Sequence, residues 1–316
     1  MSSGTPSFAV VIPAYEAAAT IGAAIESLRA QTSPPAEIIV CDDGSNDNLD
    51  GALEPYRDIV TLVVGEHRGV AAARNELLRA ASAEFVVPLD ADDVYAPTRL
   101  QRLGELAAAQ PELDLLSTDA VFVSDGQANG RFNEKTPFAF EDQPGAILDR
   151  CFLICPAMRR ERLLEIGGYD ERLRTAEDWD VCIRLILSGS AAGLVDEPLL
   201  EYRLGRRSLT ASRVATLQER VYMLEKVLTT PDIAPSLRNS AARAVSHHRA
   251  RALEQAAREA VTEGRADARR HLLDVARSGD VGWRSRVAAA VSSFAPLRAR
   301  RLIEATLSGS TARPDA

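Results

Sequence analysis

The chain has 316 residues, a net charge of -8 and a mean hydropathy of -0.11. That length suits a catalytic domain with an appendage, and the negative charge argues against nucleic acid as a partner. Its four cysteines, Cys41, Cys151, Cys155 and Cys182, fit no zinc spacing and no redox pair. Met1–Ser7 lacks the basic and apolar regions of a signal peptide and no apolar run is long enough to span a bilayer, so a cytoplasmic protein is expected.

Phe8–Ile12 is an apolar run that predicts a first strand, with Pro13-Ala14-Tyr15-Glu16 as the loop after it. Ile21, Ala24, Ile25 and Leu28 recur on one face of a helix, and Pro34-Pro35 breaks the chain after it. Ile38–Cys41 predicts a second buried strand running straight into Asp42-Asp43-Gly44-Ser45-Asn46-Asp47. Ile59–Val64 is a third strand, and Arg68-Gly69 leads into a helix over 70–80 that carries Arg74 and Asn75. Phe85–Leu89 is a fourth strand ending in Asp90-Ala91-Asp92-Asp93. Strands alternating with helices predict a doubly wound, mostly parallel α/β sheet. Such sheets bind ligands beyond the carboxyl ends of their strands, where the Pro13 loop and both acidic clusters would lie. Asp90 and Asp92, two apart, point to one side of an extended chain and repel each other. A hard divalent cation with oxygen ligands would answer that repulsion. A polar turn ahead of a helix near Pro97 is the plainer alternative.

Further strands are expected between Leu113 and Val123, with Asp119 between them, then a loop over the site at 125–145 and a return to the core from Cys151 to Met158. Gly167-Gly168 permits a tight turn. Thr175-Ala176-Glu177-Asp178 opens a helix that buries Val181, Cys182, Leu185 and Ile186. Here Thr175 as N-cap with Asp178 as reciprocal acid would explain the acids without any catalysis.

Taken together, Pro13-Ala14-Tyr15-Glu16, Val40–Asp47, Arg68-Gly69 with Ala73-Arg74-Asn75, Leu89–Asp93, Gly167–Glu171 and Glu177–Asp180 resemble the ordered signature of the family 2 glycosyltransferases. The resemblance covers roughly residues 8–205 and departs at Glu16 and His67, where the family usually carries Asn. It implies a GT-A fold and inverting transfer of a sugar from a UDP-, dTDP- or GDP-linked donor to a saccharide, lipid-linked or small-molecule acceptor. It also implies site roles. Pro13, Ala14, Tyr15, Glu16, Gly69 and Ala91 would shape the nucleotide-sugar pocket, and Asp43 would accept from a base N–H. Arg74 would face the nucleotide and Asp90 the ribose or donor sugar. Asp92 would bind Mn²⁺ or Mg²⁺. Asp178 would be the general base, with Glu177 as helper or acceptor contact. Arg203 or Arg206 would contact phosphate, unless that loop is simply solvated. The rivals are a sugar-phosphate nucleotidyltransferase, which would want a Gly-rich basic loop after the first strand, a phosphoacceptor domain, which would want a late Lys, and a nucleotide-sugar-binding protein without turnover.

The catalytic domain is expected to span 1–210 and a C-terminal α-helical region 211–316. Helices are predicted over 212–229, 234–262 and 265–278 and beyond Gly282. Between Arg265 and Arg301 stand nine Arg against three Asp, with Trp283, Val287, Val291 and Phe294 at helical spacing. That stripe suits helix packing or a homodimer contact, or peripheral contact with the inner face of a membrane. His247, His248 and His271 are expected to be solvated, and the tail after Ser308 disordered.

Overall fold

The structure is a computed structural model that describes residues 6–204 and 213–294 together with Thr306. Two compact units divide the chain, Met1–Ser208 and Leu209–Asp315. In the first, the chain runs β1 (Phe8–Ala14), α1 (Ile21–Arg29), β2 (Glu37–Asp42), α2 (Leu49–Leu53), β3 (Val60–Val64), α3 (Val70–Ala80), β4 (Phe85–Pro88), β5 (Val94–Tyr95) and α4 (Arg99–Ala109). It continues through β6 (Leu115–Ser124), β7 (Gln127–Arg131), α5 (Phe132–Lys135), α6 (Gln143–Asp149), β8 (Ala157–Arg159), α7 (Arg160–Glu165), α8 (Glu177–Leu187) and β9 (Ala192–Arg203).

All strands join one sheet in the order β3-β2-β1-β4-β8-β6-β9-β5, with β7 beside β6. The half β3-β2-β1-β4 is wholly parallel, β8 enters antiparallel between β4 and β6, and β6 and β9 run parallel again. This is the α/β architecture that the alternating apolar runs predict. Val10, Ile12, Val40 and Val87 from the strands pack with Ile25, Leu28, Leu100 and Leu103 from the helices in one core. Each fully buried side chain of that size contributes about 1.5–3 kcal/mol. On α3 the small Ala71, Ala72 and Ala73 are buried, and that burial continues into Arg74 and Asn75.

Several boundaries differ from expectation for physical reasons. Pro13 and Ala14 belong to β1, registered against Cys41 and Asp42 of β2. Pro13 has no N–H, but Val11, two residues earlier and on the same side, makes the last pair to β4, so no ladder bond is lost. In place of separate strands between Leu113 and Val123 there is the single β6, Leu115–Ser124, with Asp119 at a register irregularity inside it. There Asp119 is fully buried and accepts from Ala120 N (2.7 Å), Asn133 N (2.9 Å) and Arg131 Nε (2.5 Å). The expected loop 125–145 holds β7, α5 and the start of α6. Asp125 and Gly126, both at positive φ, turn the β6–β7 hairpin, and the Asp142 carboxylate caps α6 through Gly145 N.

The second unit contains α9 (Arg213–Leu228), α10 (Pro235–Thr262), α11 (Ala268–Arg277) and α12 (Trp283–Ser292). Ala257, Ala260, Val261, Leu272, Val275 and Ala289 form its small core. His248 is buried rather than solvated, and His271 Nε2 lies 3.1 Å from Asp267 Oδ2, one helical turn away. Among the described residues no helix is long and apolar enough to cross a membrane. Arg206 and the tail after Ser308 lie outside the described residues.

Candidate active site

The carboxyl ends of β1, β2 and β4 bring three loops to one edge of the sheet. Two of them are laced together. Glu16 N donates to Ser45 Oγ (3.0 Å), Asn46 N to Glu16 Oε1 (2.8 Å) and Ala18 N to Asp47 Oδ2 (2.8 Å). Asp42 opens the turn at Gly44-Ser45 by accepting from Ser45 N (2.8 Å). Asp43, which is buried, instead reaches the start of α3. Its two carboxylate oxygens accept from Arg68 N and Gly69 N, each at 2.8 Å. Each oxygen keeps further accepting capacity.

Glu16 and His67, where the family usually carries Asn, both take left-handed backbone, at φ 52° and 40°. Asn is several-fold enriched in that region, which accounts for the usual residue. The substitution also brings an imidazole that sequence reasoning missed as a site group. The His67 ring stacks on Tyr15 with centroids 4.1 Å apart, and Tyr15 is 47% exposed. The pair offers an accessible aromatic face at the pocket edge.

Arg74 is not the solvated helix-surface arginine that its position would allow. It is buried, donating Nη1–H to Glu177 Oε1 (2.6 Å) and Nη2–H to Asp90 Oδ1 (3.0 Å), with its guanidinium 5.6 Å from the Tyr169 ring centre. One side chain thus ties the end of β4 to the first turn of α8. Next along α3, Asn75 Oδ1 accepts from Tyr169 N (2.8 Å), while its Nδ2 donates to Tyr169 O (3.0 Å) and Glu171 Oε1 (2.9 Å). Gly168 lies against this clamp at φ 71°, and a Cβ there would come 2.5 Å from Asn75 Oδ1.

The N-cap residue of α8 is Ala176, one place after the Thr175 that the capping-box alternative names, and an alanine supplies no side-chain cap. Glu177 is buried and faces Arg74, whereas Asp178 is exposed and, among the described residues, accepts only from the adjacent Trp179 N (2.7 Å). A carboxylate at that place is favoured by the positive end of the helix. Asp180 is buried against Arg184 (2.7 Å).

Charge accumulates without full compensation. Burial pushes the Glu177 carboxyl up to about 7 against the pull of Arg74. Asp92 is held above the usual carboxylate range by burial and by the Asp90 charge. Burial and Asp90 also push Asp93 up to about 8. Asp93 Oδ1 accepts from Arg203 N (2.8 Å), while its buried Oδ2 finds no partner among the described residues. Arg203 itself is engaged with Glu201 at 2.8 Å. Ala91 is buried between Asp90 and Asp92 and leaves no bulk there.

Comparison with known proteins gives a consistent result. The family described as "Glycosyl transferase family 2" matches residues 9–167. Succinoglycan biosynthesis protein ExoU of Rhizobium meliloti is 27% identical over 238 residues, covering 69% of this chain and 68% of that one. Among solved structures, TarS 1–349 of S. aureus superposes with a TM-score of 0.67 at 18% identity, covering 96% of this chain and 91% of that one. Mannosyltransferase PcManGT from Pyrobaculum calidifontis gives 0.61 at 22% identity, with 96% and 85% covered.

Proposed function

The chain belongs to glycosyl transferase family 2, and we propose that it moves a sugar from a nucleoside-diphospho-sugar to an acceptor hydroxyl by a single inverting displacement. The observation that carries the reading is the Arg74 bridge, because it sets the strand-end carboxylates beside the acids of α8. TarS binds UDP-GlcNAc and PcManGT binds GDP-Man with Mn²⁺, which supports a nucleotide-sugar donor here.

Residues 1–210 would act as the catalytic domain. Tyr15, on its His67 support, would stack against the base, and Asp43 would use its remaining lone pairs to accept a base N–H. Pro13, Ala14, Glu16 and Gly69 would shape that pocket with their backbone. Asp90, oriented by Arg74, would face the ribose or the donor sugar.

A divalent cation suits the neighbouring carboxylates. Asp92 and Asp93 are both held above the usual range, and Asp93 keeps a buried oxygen without a partner among the described residues. Those residues contain no group of three or more His, Cys, Asp or Glu able to hold a metal. Such a set fits Mn²⁺ or Mg²⁺ held by Asp92 with substrate phosphates completing the shell. When bound, the cation would offset the charge on the departing diphosphate.

Asp178 would take the acceptor hydroxyl's proton as that oxygen bonds to the anomeric carbon. The bond from that carbon to the diphosphate oxygen breaks, and the nucleoside diphosphate leaves with the bonding pair. Glu177, turned inward to Arg74, would hold the first turn of α8 in place. ExoU is a succinoglycan biosynthesis protein, which supports an acceptor in polysaccharide or cell-envelope synthesis. The test is a panel of UDP-, dTDP- and GDP-sugars scored for Mn²⁺-dependent thermal stabilisation. Nucleoside diphosphate release is then measured with saccharide and lipid-linked acceptors, and product stereochemistry by NMR. A folded protein that neither binds nor cleaves any of these donors would overturn the proposal.

A further inference from the structure

The helix α12 is built opposite to an ordinary surface helix. At about 100° per residue, Trp283, Val287 and Val291 fall within an arc of about 80° on α12, and with Phe294, two residues past its end, they are 69%, 56%, 60% and 86% exposed. Ala289 and Ser292, on the far side, are the buried ones. Ala289 packs with Leu272 and Val275 of α11. A helix serving only its own fold turns its large apolar side inward. This one seats its small residues and offers the large ones outward. Arg284 and Arg286, both exposed, flank the apolar arc on either side.

Charge indicates what covers that face. Residues 209–316 carry eighteen Arg or Lys against eleven Asp or Glu, a net of +7. Residues 1–208 carry nineteen against thirty-four, a net of -15. A second copy seated on α12 would set one cationic unit against another. Four side chains also fall short of the roughly 800 Å² per partner of a standard protein interface. An anionic bilayer answers both features. Trp and Phe are suited to the headgroup boundary, and basic residues beside them are attracted by the negative surface.

We propose that the exposed face of α12 docks this protein on an anionic lipid bilayer, with Trp283 and Phe294 as apolar anchors and Arg284 and Arg286 as the electrostatic contacts. The surface belongs to the second unit and is read without any sugar donor, so the two proposals stand or fall independently.

The experiment is co-sedimentation of the full chain with phosphatidylcholine vesicles, with and without phosphatidylglycerol. The wild type is expected to bind only the anionic vesicles and to be released as salt rises. Trp283→Ser/Phe294→Ser should weaken binding by about tenfold or more. Arg284→Gln and Arg286→Gln should each weaken it about fivefold. Leu164→Ser, an exposed apolar change in the first unit, should leave it unaltered. Unchanged melting temperatures would show that the variants fold. Equal binding to neutral vesicles, or full binding by the double variant, overturns the proposal. So does a dimer by light scattering that the double variant splits while the wild type ignores vesicles.

Discussion

Replacing Arg74 with Met tests whether this residue holds the site's charges together. The Arg74 and Glu177 side chains are each 7% exposed, so water does little to screen them; Asp90, at 33%, adds less. Removing one partner of such a buried pair costs about 3–5 kcal/mol, because the other charge is left stranded. The penalty also depends on pH, with a definite sign. Glu177 sits at about 7 with Arg74 pulling it down, so losing Arg74 raises it further. Above about pH 7 the variant's fold keeps a proton that the wild type has released. The penalty therefore grows with pH, by at most about 1.4 kcal/mol per unit. Near pH 6, where Glu177 is mostly neutral in both proteins, the penalty contracts. Urea denaturation at about pH 6 and about pH 8.5, in chelator, measures it. The double variant Arg74→Met/Glu177→Gln should lose most of the pH dependence. A penalty below about 1 kcal/mol that stays flat with pH would refute the reasoning.

Three other outcomes are expected. Asp178→Asn should lower kcat by about a hundredfold or more while melting temperature and donor affinity hardly move, since the proton it accepts belongs to the acceptor; near-normal turnover would move the base elsewhere. Asp92→Asn should remove most of the difference between nucleoside diphosphate affinity with Mn²⁺ and with chelator, measured by calorimetry, whereas a wild type indifferent to metal would remove Asp92's role. Asp119→Ala should cost about 3 kcal/mol in urea denaturation, because Ala120 N, Asn133 N and Arg131 Nε lose one shared acceptor in a buried place, and Asp119→Asn should cost less.

Strands β1 to β4 and β6 were legible because they are near-continuous apolar runs and the helices between them carry a helical period. By contrast β5, β7, β8 and β9 were not read, β9 because Asp196-Glu197-Pro198 interrupts its apolar pattern and β5 and β8 because they are two and three residues long. Asp42-Asp43 and Asp90–Asp93 were legible at the carboxyl edge for the same reason, since each comes directly after such a run. The pairing inside the site was not. Arg74 looks like a surface residue by its place after three alanines, and its partners lie 16 and 103 residues away. Local periodicity carries no trace of that separation. Asp43 stands directly before Gly44-Ser45, yet its carboxylate is taken by residues 25 and 26 positions on, a separation the local sequence does not carry. In the sequence His67 stands out only as a departure, because stacking on Tyr15 depends on two loops meeting. The hairpin at Asp125-Gly126 did carry a readable signal, hidden by the Gly, Asn and Pro around it.

Asn75 and Arg74 are neighbours on one helix, and between them they grip both ends of a short segment. Asn75 fastens Tyr169 and Glu171; Arg74 fastens Glu177. The chain from 172 to 176 is a strap buckled at each end to the same bar. The strap is not slack between its buckles, because Leu173 and Ala176 are buried within it. A larger or smaller side chain at either place reaches the acids of α8 through packing, although Glu177 itself is held by Arg74.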